Sequence, residues 1–153
     1  MKRTQYPTLV SWGVVGLIAS AAFSFVWERY GGELPGVPWP AILGMLLLSI
    51  VLVALGWPIK KWNDGDRTAE IDPLRAARVA MMAKAAAVTG AALTGWYGGQ
   101  VAYLLVSAGG VRAATGFGML VAVATAALLM VVGLVVEYFC QLPPDDPSGA
   151  EPA

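Results

Sequence analysis

Histidine is absent from this 153-residue chain, and cysteine occurs once, at Cys140. The first absence removes the commonest general base and the commonest metal ligand. The second excludes an internal disulfide and any multi-cysteine metal site. Charge is scarce too: 13% of the residues are Asp, Glu, Lys or Arg, about half the usual share of a soluble domain. Ten basic and ten acidic residues cancel to a formal net charge of zero, so the chain lacks the basic surface that a nucleic-acid partner needs. No nucleophile–base pair or phosphate-cradling glycine loop can be assembled from its motifs. No acid stands in the middle of an apolar run, as a proton relay through a membrane would require. These absences point to a non-enzyme with no cofactor and no metal.

What the chain does contain is apolar, 58% of it by residue count, and the charges it has are confined to a few places. Four windows carry no Asp, Glu, Lys or Arg: residues 4–27, 34–59, 85–111 and 113–136, which are 24, 26, 27 and 24 positions long. A helix crosses a hydrocarbon core of about 30 Å with about 20 apolar residues, so each window can cross once and none can cross twice. The windows do not alternate polar with apolar residues, as barrel strands would. Backbone groups in lipid must bond within their own segment, so the windows read as helices. The expected fold is an all-α integral membrane bundle of four transmembrane helices, over about residues 8–27, 39–57, 73–107 and 114–139. Residues 1–140 form the transmembrane domain, 58–72 a loop, and 141–153, with four prolines, a disordered tail. Lys2, Arg3 and Ala19-Ser20-Ala21 resemble a signal peptide. The apolar run continues past them through Phe23, Phe25 and Trp27, which favours a retained helix.

The basic residues set the expected orientation. With the N-terminus inside, Lys2, Arg3, Lys60, Lys61, Arg67, Arg75, Arg78 and Lys84 all fall on the cytoplasmic side, and only Arg29 and Arg112 fall outside. Positive charge is retained inside, so both termini are expected in the cytoplasm of a bacterial cell and the protein in its cytoplasmic membrane. Pro58 is expected to end the second helix. Asp72-Pro73 reads as the cap and first residue of the third. From Pro73 to Ser107 the pattern stays helical for 35 residues, roughly 50 Å, so the third helix is expected to project into the cytoplasm. Arg75 and Arg78 would ride on the projection, and Lys84 would snorkel to the interface.

Three constellations carry the candidate sites. Ala91, Gly95 and Gly99 form a small-residue row on the third helix, and Gly118, Ala122 and Ala126 form another on the fourth. Small residues let helices approach closely in lipid, and the two rows are expected to pack together, with dimerisation as an alternative. Trp96, Tyr97, Gln100 and Tyr103 lie deep in the third helix, where an amide needs partners, so they are expected to form an intramembrane polar cluster, either structural or lining a ligand or lipid pocket. Lys60, Lys61, Arg75, Arg78 and Lys84 make a basic cytoplasmic face suited to anionic headgroups or to a protein partner. Glu137, at the inner end of the fourth helix, has Lys84 or Lys60 as a plausible counter-charge. Asp64, Asp66, Glu70 and Asp72 crowd one loop without the spacing of a calcium-binding loop, and read as solvated.

Several of these landmarks recur together: Gly56-Trp57-Pro58 followed by Lys60-Lys61-Trp62; Asp72-Pro73-Leu74-Arg75-Ala76-Ala77-Arg78; Lys84; Gly95-Trp96-Tyr97-Gly98-Gly99-Gln100; and Glu137 to Cys140 followed by Pro143-Pro144-Asp145-Asp146. Across nearly its whole length the chain resembles the actinobacterial membrane proteins called domain of unknown function 3180. The resemblance implies four membrane helices and no activity, and it carries over no functional residue. The expected partners are the bilayer and either another membrane protein or a second copy. The expected role is a non-enzymatic accessory or scaffold protein, with a small-molecule or lipid transporter, or a component of one, as the alternative.

Overall fold

Each charge-poor stretch is one continuous helix in the computed structural model, which describes residues 4–30, 36–63, 73–107 and 113–140. The helices are α1 (Tyr6–Arg29), α2 (Trp39–Asn63), α3 (Pro73–Ser107) and α4 (Ala113–Phe139). All four are long and apolar enough to cross a membrane. The acid-rich loop, the Asp72 cap and the tail from Gln141 fall outside the described residues.

The spatial order differs from the chain order. α3 and α4 form the central pair; α1 packs on α3, and α2 packs mainly on α4. Among the described residues α1 and α2, adjacent in sequence, do not touch. Three observations fix which ends lie together. The Thr4 amide donates to Glu137 Oε1 at 2.8 Å, the Asn63 amide nitrogen donates to the Phe139 carbonyl at 2.8 Å, and Ala76 is buried in one cluster with Ile59 and Cys140. The start of α1, the end of α2, the start of α3 and the end of α4 therefore share one end of the bundle, called here the terminal end.

The main cluster joins Met45, Leu52 and Ile59 of α2, Val79, Ala83 and Ala86 of α3, and Leu129 and Val136 of α4. Much of the remaining interior is Gly, Ala and Ser, while Val10, Ile18, Leu43, Leu47, Ile50, Phe117 and Leu120 face outward. Apolar exposure on this scale would form a patch far beyond what water-facing monomers tolerate. It fits a surface whose solvent is hydrocarbon, and the chain is a multi-pass membrane protein.

α2 corrects one expectation. It does not end at Trp57 but runs through Pro58 to Asn63. Proline removes one helical hydrogen bond, yet membrane helices tolerate it because the surrounding structure compensates. Here the turn after Pro58 is held from both sides: Ile59 is buried in the core and Asn63 bonds to the end of α4. The same extension covers the first turns of α3, where Ala76 and Val79 are buried. α3 has the expected 35 residues, and its first turns share one buried cluster with Ile59 of α2 and Cys140 after α4.

Candidate functional site

α3 carries two close-packed faces. On one, a methyl added at Gly90 would lie 2.5 Å from the Met130 nitrogen, and one at Gly133 would lie 2.7 Å from the Ala83 carbonyl oxygen. α3 and α4 thus meet backbone to backbone, with Ala122 and Ala126 fully buried between the helices. On the other face, a methyl at Gly95 would overlap the Gly13 carbonyl, and one at Gly16 would overlap the Ala92 carbonyl. Gly99 faces Ser20 Oγ and the Leu17 carbonyl, at 2.9 and 3.0 Å from the place of its missing Cβ.

The expected pairing of the two small-residue rows is therefore corrected. Gly95 and Gly99 receive α1, not α4, and Ala91 lies against Leu9 and Gly13 of the same helix. Gly118 abuts nothing within 4 Å of its missing Cβ. The α4 contact lies about a third of a turn around α3, through Ala83, Ala87 and Gly90. The row on α1 that answers Gly95 and Gly99 is Gly16, Ser20 and Ser24, four residues apart. Sequence reasoning passed over it, although it has the spacing of a small-residue seam.

The polar residues of α3 divide between these faces. The Trp96 ring tilts against Phe23 of α1 with centroids 5.6 Å apart, and Phe23 stacks on Trp27 at 5.3 Å. The Tyr103 hydroxyl donates to Glu28 Oε2 at the far end of α1. Gln100 is buried, 4% exposed. Tyr97 points elsewhere and packs against the α2–α3–α4 core, so the expected four-residue cluster is split. Ser20 and Ser24 complete the α1 side: both are fully buried, and neither hydroxyl has a hydrogen-bond partner. The result is an α1–α3 seam of hydroxyls and aromatic rings in the half of the bundle away from the terminal end.

The terminal end holds the charge. Glu137 is buried, and both its oxygens accept bonds from Thr4, one from the backbone amide and one from the side-chain hydroxyl. Lys60 does not reach Glu137. Its amine lies over the rings of Trp57 and Phe139, 5.4 and 5.1 Å from their centroids. Lys61, Arg75 and Arg78 are exposed and Lys84 is half-buried. Cys140 is buried in the cluster that also holds Val136 and Ile59, and burial raises its thiol above the ordinary value, which lowers the thiolate fraction at neutral pH. Among the described residues no three His, Cys, Asp or Glu side chains are grouped to hold a metal.

No curated protein and no solved structure matches the chain. A family model described as a protein of unknown function, DUF3180, matches residues 9–144. That span takes in both close-packed faces of α3, the seam around Trp96, and the buried Gln100 and Glu137. The chain belongs to the DUF3180 family.

Proposed function

We propose that this protein is a non-enzymatic accessory or scaffold protein of the bacterial cytoplasmic membrane, with both termini in the cytoplasm. Its terminal end is then the cytoplasmic face, and Lys60, Lys61, Arg75, Arg78 and Lys84 present the docking charge. The observation that carries this reading is the backbone contact of α3 with both α1 and α4. Helices locked at Gly13–Gly95 and at Gly90–Met130 leave no lumen at those levels, and rocking them apart would break the closest contacts in the bundle. Such a framework suits holding a partner better than passing a solute. Orientation rests on the bias of Lys and Arg toward one end. Reporters fused at Met1 and at Ala153 should both be active inside the cell and inactive outside.

The main test is crosslinking in cells from photoreactive residues at positions 75 and 78, followed by extraction in mild detergent. A defined membrane partner caught at both positions supports the scaffold. Repeated recovery of the uncrosslinked monomer removes it. A second reading, a small-molecule or lipid transporter or a component of one, is favoured by the buried Ser20 and Ser24 hydroxyls at the α1–α3 seam and by the buried Gln100 amide elsewhere on α3. Solute or lipid flux in proteoliposomes that Gln100→Leu abolishes would select that reading over the first.

A further inference from the structure

α2 and α4 form a groove on the outside of the bundle that neither reading uses. On α2, Ile50, Ala54, Trp57 and Lys61 follow one another at intervals of four, three and four residues, which places them in one row along the helix. On α4, Leu128 and Val132 lie opposite. The space between has a volume of about 560 Å³ and is lined almost wholly by apolar side chains. It runs toward the terminal end, where charge closes it. Lys60 reaches across from α2 so that its amine rests on Trp57 of its own helix and on Phe139 of α4. Lys61 continues the row on the open side.

We propose that this groove seats one acyl chain of an anionic phospholipid of the leaflet at the terminal end, with the headgroup phosphate at Lys60 and Lys61. Three features select this occupant over a second copy of the chain or a neutral lipid. The first is charge. Two lysines stand at the mouth, and the Lys60 amine lies over aromatic faces with no carboxylate against it among the described residues, which suits it to meet an anion. The second is position. The groove is apolar along its length and turns basic at one end, as a phospholipid is apolar along its chains and anionic at its head. Trp57, which belongs at the membrane–water interface, marks the level of the change. The third is energetic. An acyl chain in a bilayer gains nothing from leaving water, because it is already in hydrocarbon. The groove can therefore offer only contact, and discrimination must come from the headgroup. Lysines near an anionic leaflet each contribute an attraction that, for two of them, corresponds to a preference of about tenfold or more.

The test uses the full chain, purified in an uncharged detergent and examined by native mass spectrometry with equal amounts of dioleoyl phosphatidylglycerol and dioleoyl phosphatidylcholine. One phosphatidylglycerol should be retained per chain, about tenfold in preference to phosphatidylcholine. Soluble glycerophosphoglycerol, which has the head without the chains, should not displace it at equal concentration. The paired substitution Lys60→Gln and Lys61→Gln should bring the two lipids to within about twofold. Ala54→Phe, which fills the groove while leaving the lysines, should lose the adduct. Leu128→Phe fills it from the other wall and serves if either change to α2 impairs folding, with retained helicity by circular dichroism as the control. Equal retention of both lipids by the unaltered chain overturns the proposal. So does a preference that survives loss of both lysines, displacement by the soluble head alone, or an adduct unaffected by either phenylalanine. A dimer that Ala54→Phe converts to monomer would mean that a second copy occupies the groove.

Discussion

α1 and α2 flank the central helix pair on opposite sides, and they are held there by opposite means. α1 meets α3 through absent side chains. Gly13, Gly16, Gly95 and Gly99 bring the two backbones together, and the hydroxyls of Ser20 and Ser24 are buried between them. α2 meets α4 and α3 through large side chains, with Met45, Leu52 and Ile59 filling the space. A methyl added at Gly56 would lie 2.9 Å from Val136 Cγ1, the tip of a side chain and not backbone. In lipid the usual drive to bury apolar surface is missing, so each helix needs another reason to stay. For α1 the reason is contact at van der Waals distance along the backbone. For α2 it is the filling of a shaped space. The two attachments should fail under opposite changes: α1 when bulk is added, α2 when bulk is removed.

The largest effect is expected at Gly95. A side chain there meets the Gly13 carbonyl, which cannot turn aside as a side chain can, so Gly95→Leu should displace α1 from α3. The cost should reach or exceed the upper end of ordinary overpacking, about 3 kcal/mol, and show as a collapse of yield and thermal stability in detergent. Gly118→Leu is the control. It sits in open space and should change stability by no more than about 0.5 kcal/mol. If both substitutions cost the same, the α1–α3 contact is not what holds α1.

Next in size is Leu52→Ala on the other side. Leu52 is fully buried, and removing its branched end leaves a cavity between α2, α3 and α4. In water-soluble cores such a change costs about 2–5 kcal/mol. The transfer part should shrink here, because the separated helices would still lie in hydrocarbon, leaving mainly the lost contacts. An effect of about 2 kcal/mol in thermal or denaturant melts is expected. A comparable loss from truncating Leu47, which already faces lipid, would show that bulk anywhere on α2 matters and that packing does not.

This difference between the flanks also explains what the sequence could reveal. Four crossings and their approximate bounds were legible because charge is excluded from hydrocarbon and the charges here lie between the windows. The 35 residues of α3 were legible for a different reason: the helical pattern runs unbroken from Pro73 past Arg75, Arg78 and Lys84 into the charge-free window. The partner of the Gly95–Gly99 row was not. A row of small residues announces a close approach but not the helix that makes it, and α1, α3 and α4 all carry such rows. Gly95 meets Gly13 and Gly99 meets Ser20 of α1, a choice that spacing alone could not make, since the α4 row has the same interval of four. Pro58 misled for a different reason. The rule that helices stop before proline describes chains whose freed carbonyls can bond to water, whereas here Ile59 and Asn63 hold the next turn in place. Glu137 was assigned a basic partner because charge invites countercharge; its bonds go instead to the amide and hydroxyl of Thr4, which only the folded chain brings near.

That link supplies a third expected effect. Thr4 ties the start of α1 to the end of α4, two helices whose backbones do not otherwise approach among the described residues, although Met130 and Leu134 of α4 pack against the cluster that holds Leu9. Glu137→Gln keeps one acceptor oxygen, loses the other and removes the charge that strengthens both bonds, at a cost of about 1–2 kcal/mol. The loss should be local. Amide hydrogen exchange should speed up at Thr4 and through the first turn of α1, while the α2–α4 amides around Leu52 stay as protected as before. Faster exchange across the whole bundle would mean that Glu137 supports the core and not one attachment.

The smallest effect belongs to the opposite end of α1, where the Tyr103 hydroxyl donates to Glu28. Both groups are near the surface, and Glu28 is exposed, so water competes for the bond and Tyr103→Phe should cost less than about 1 kcal/mol. What makes the measurement useful is its position. If glycine contact alone fixes α1, loss of this bond should leave the contact of Phe23 with Trp96 undisturbed, and the tryptophan fluorescence of the variant should match that of the unaltered chain. If the far end of α1 instead depends on its polar tie, Trp96 should become accessible to a quencher in the aqueous phase. The dependence of α1 on backbone contact would then stop short of Ser24, about 12 Å along the helix from Gly16, and the polar seam beyond it would be held by its hydrogen bond.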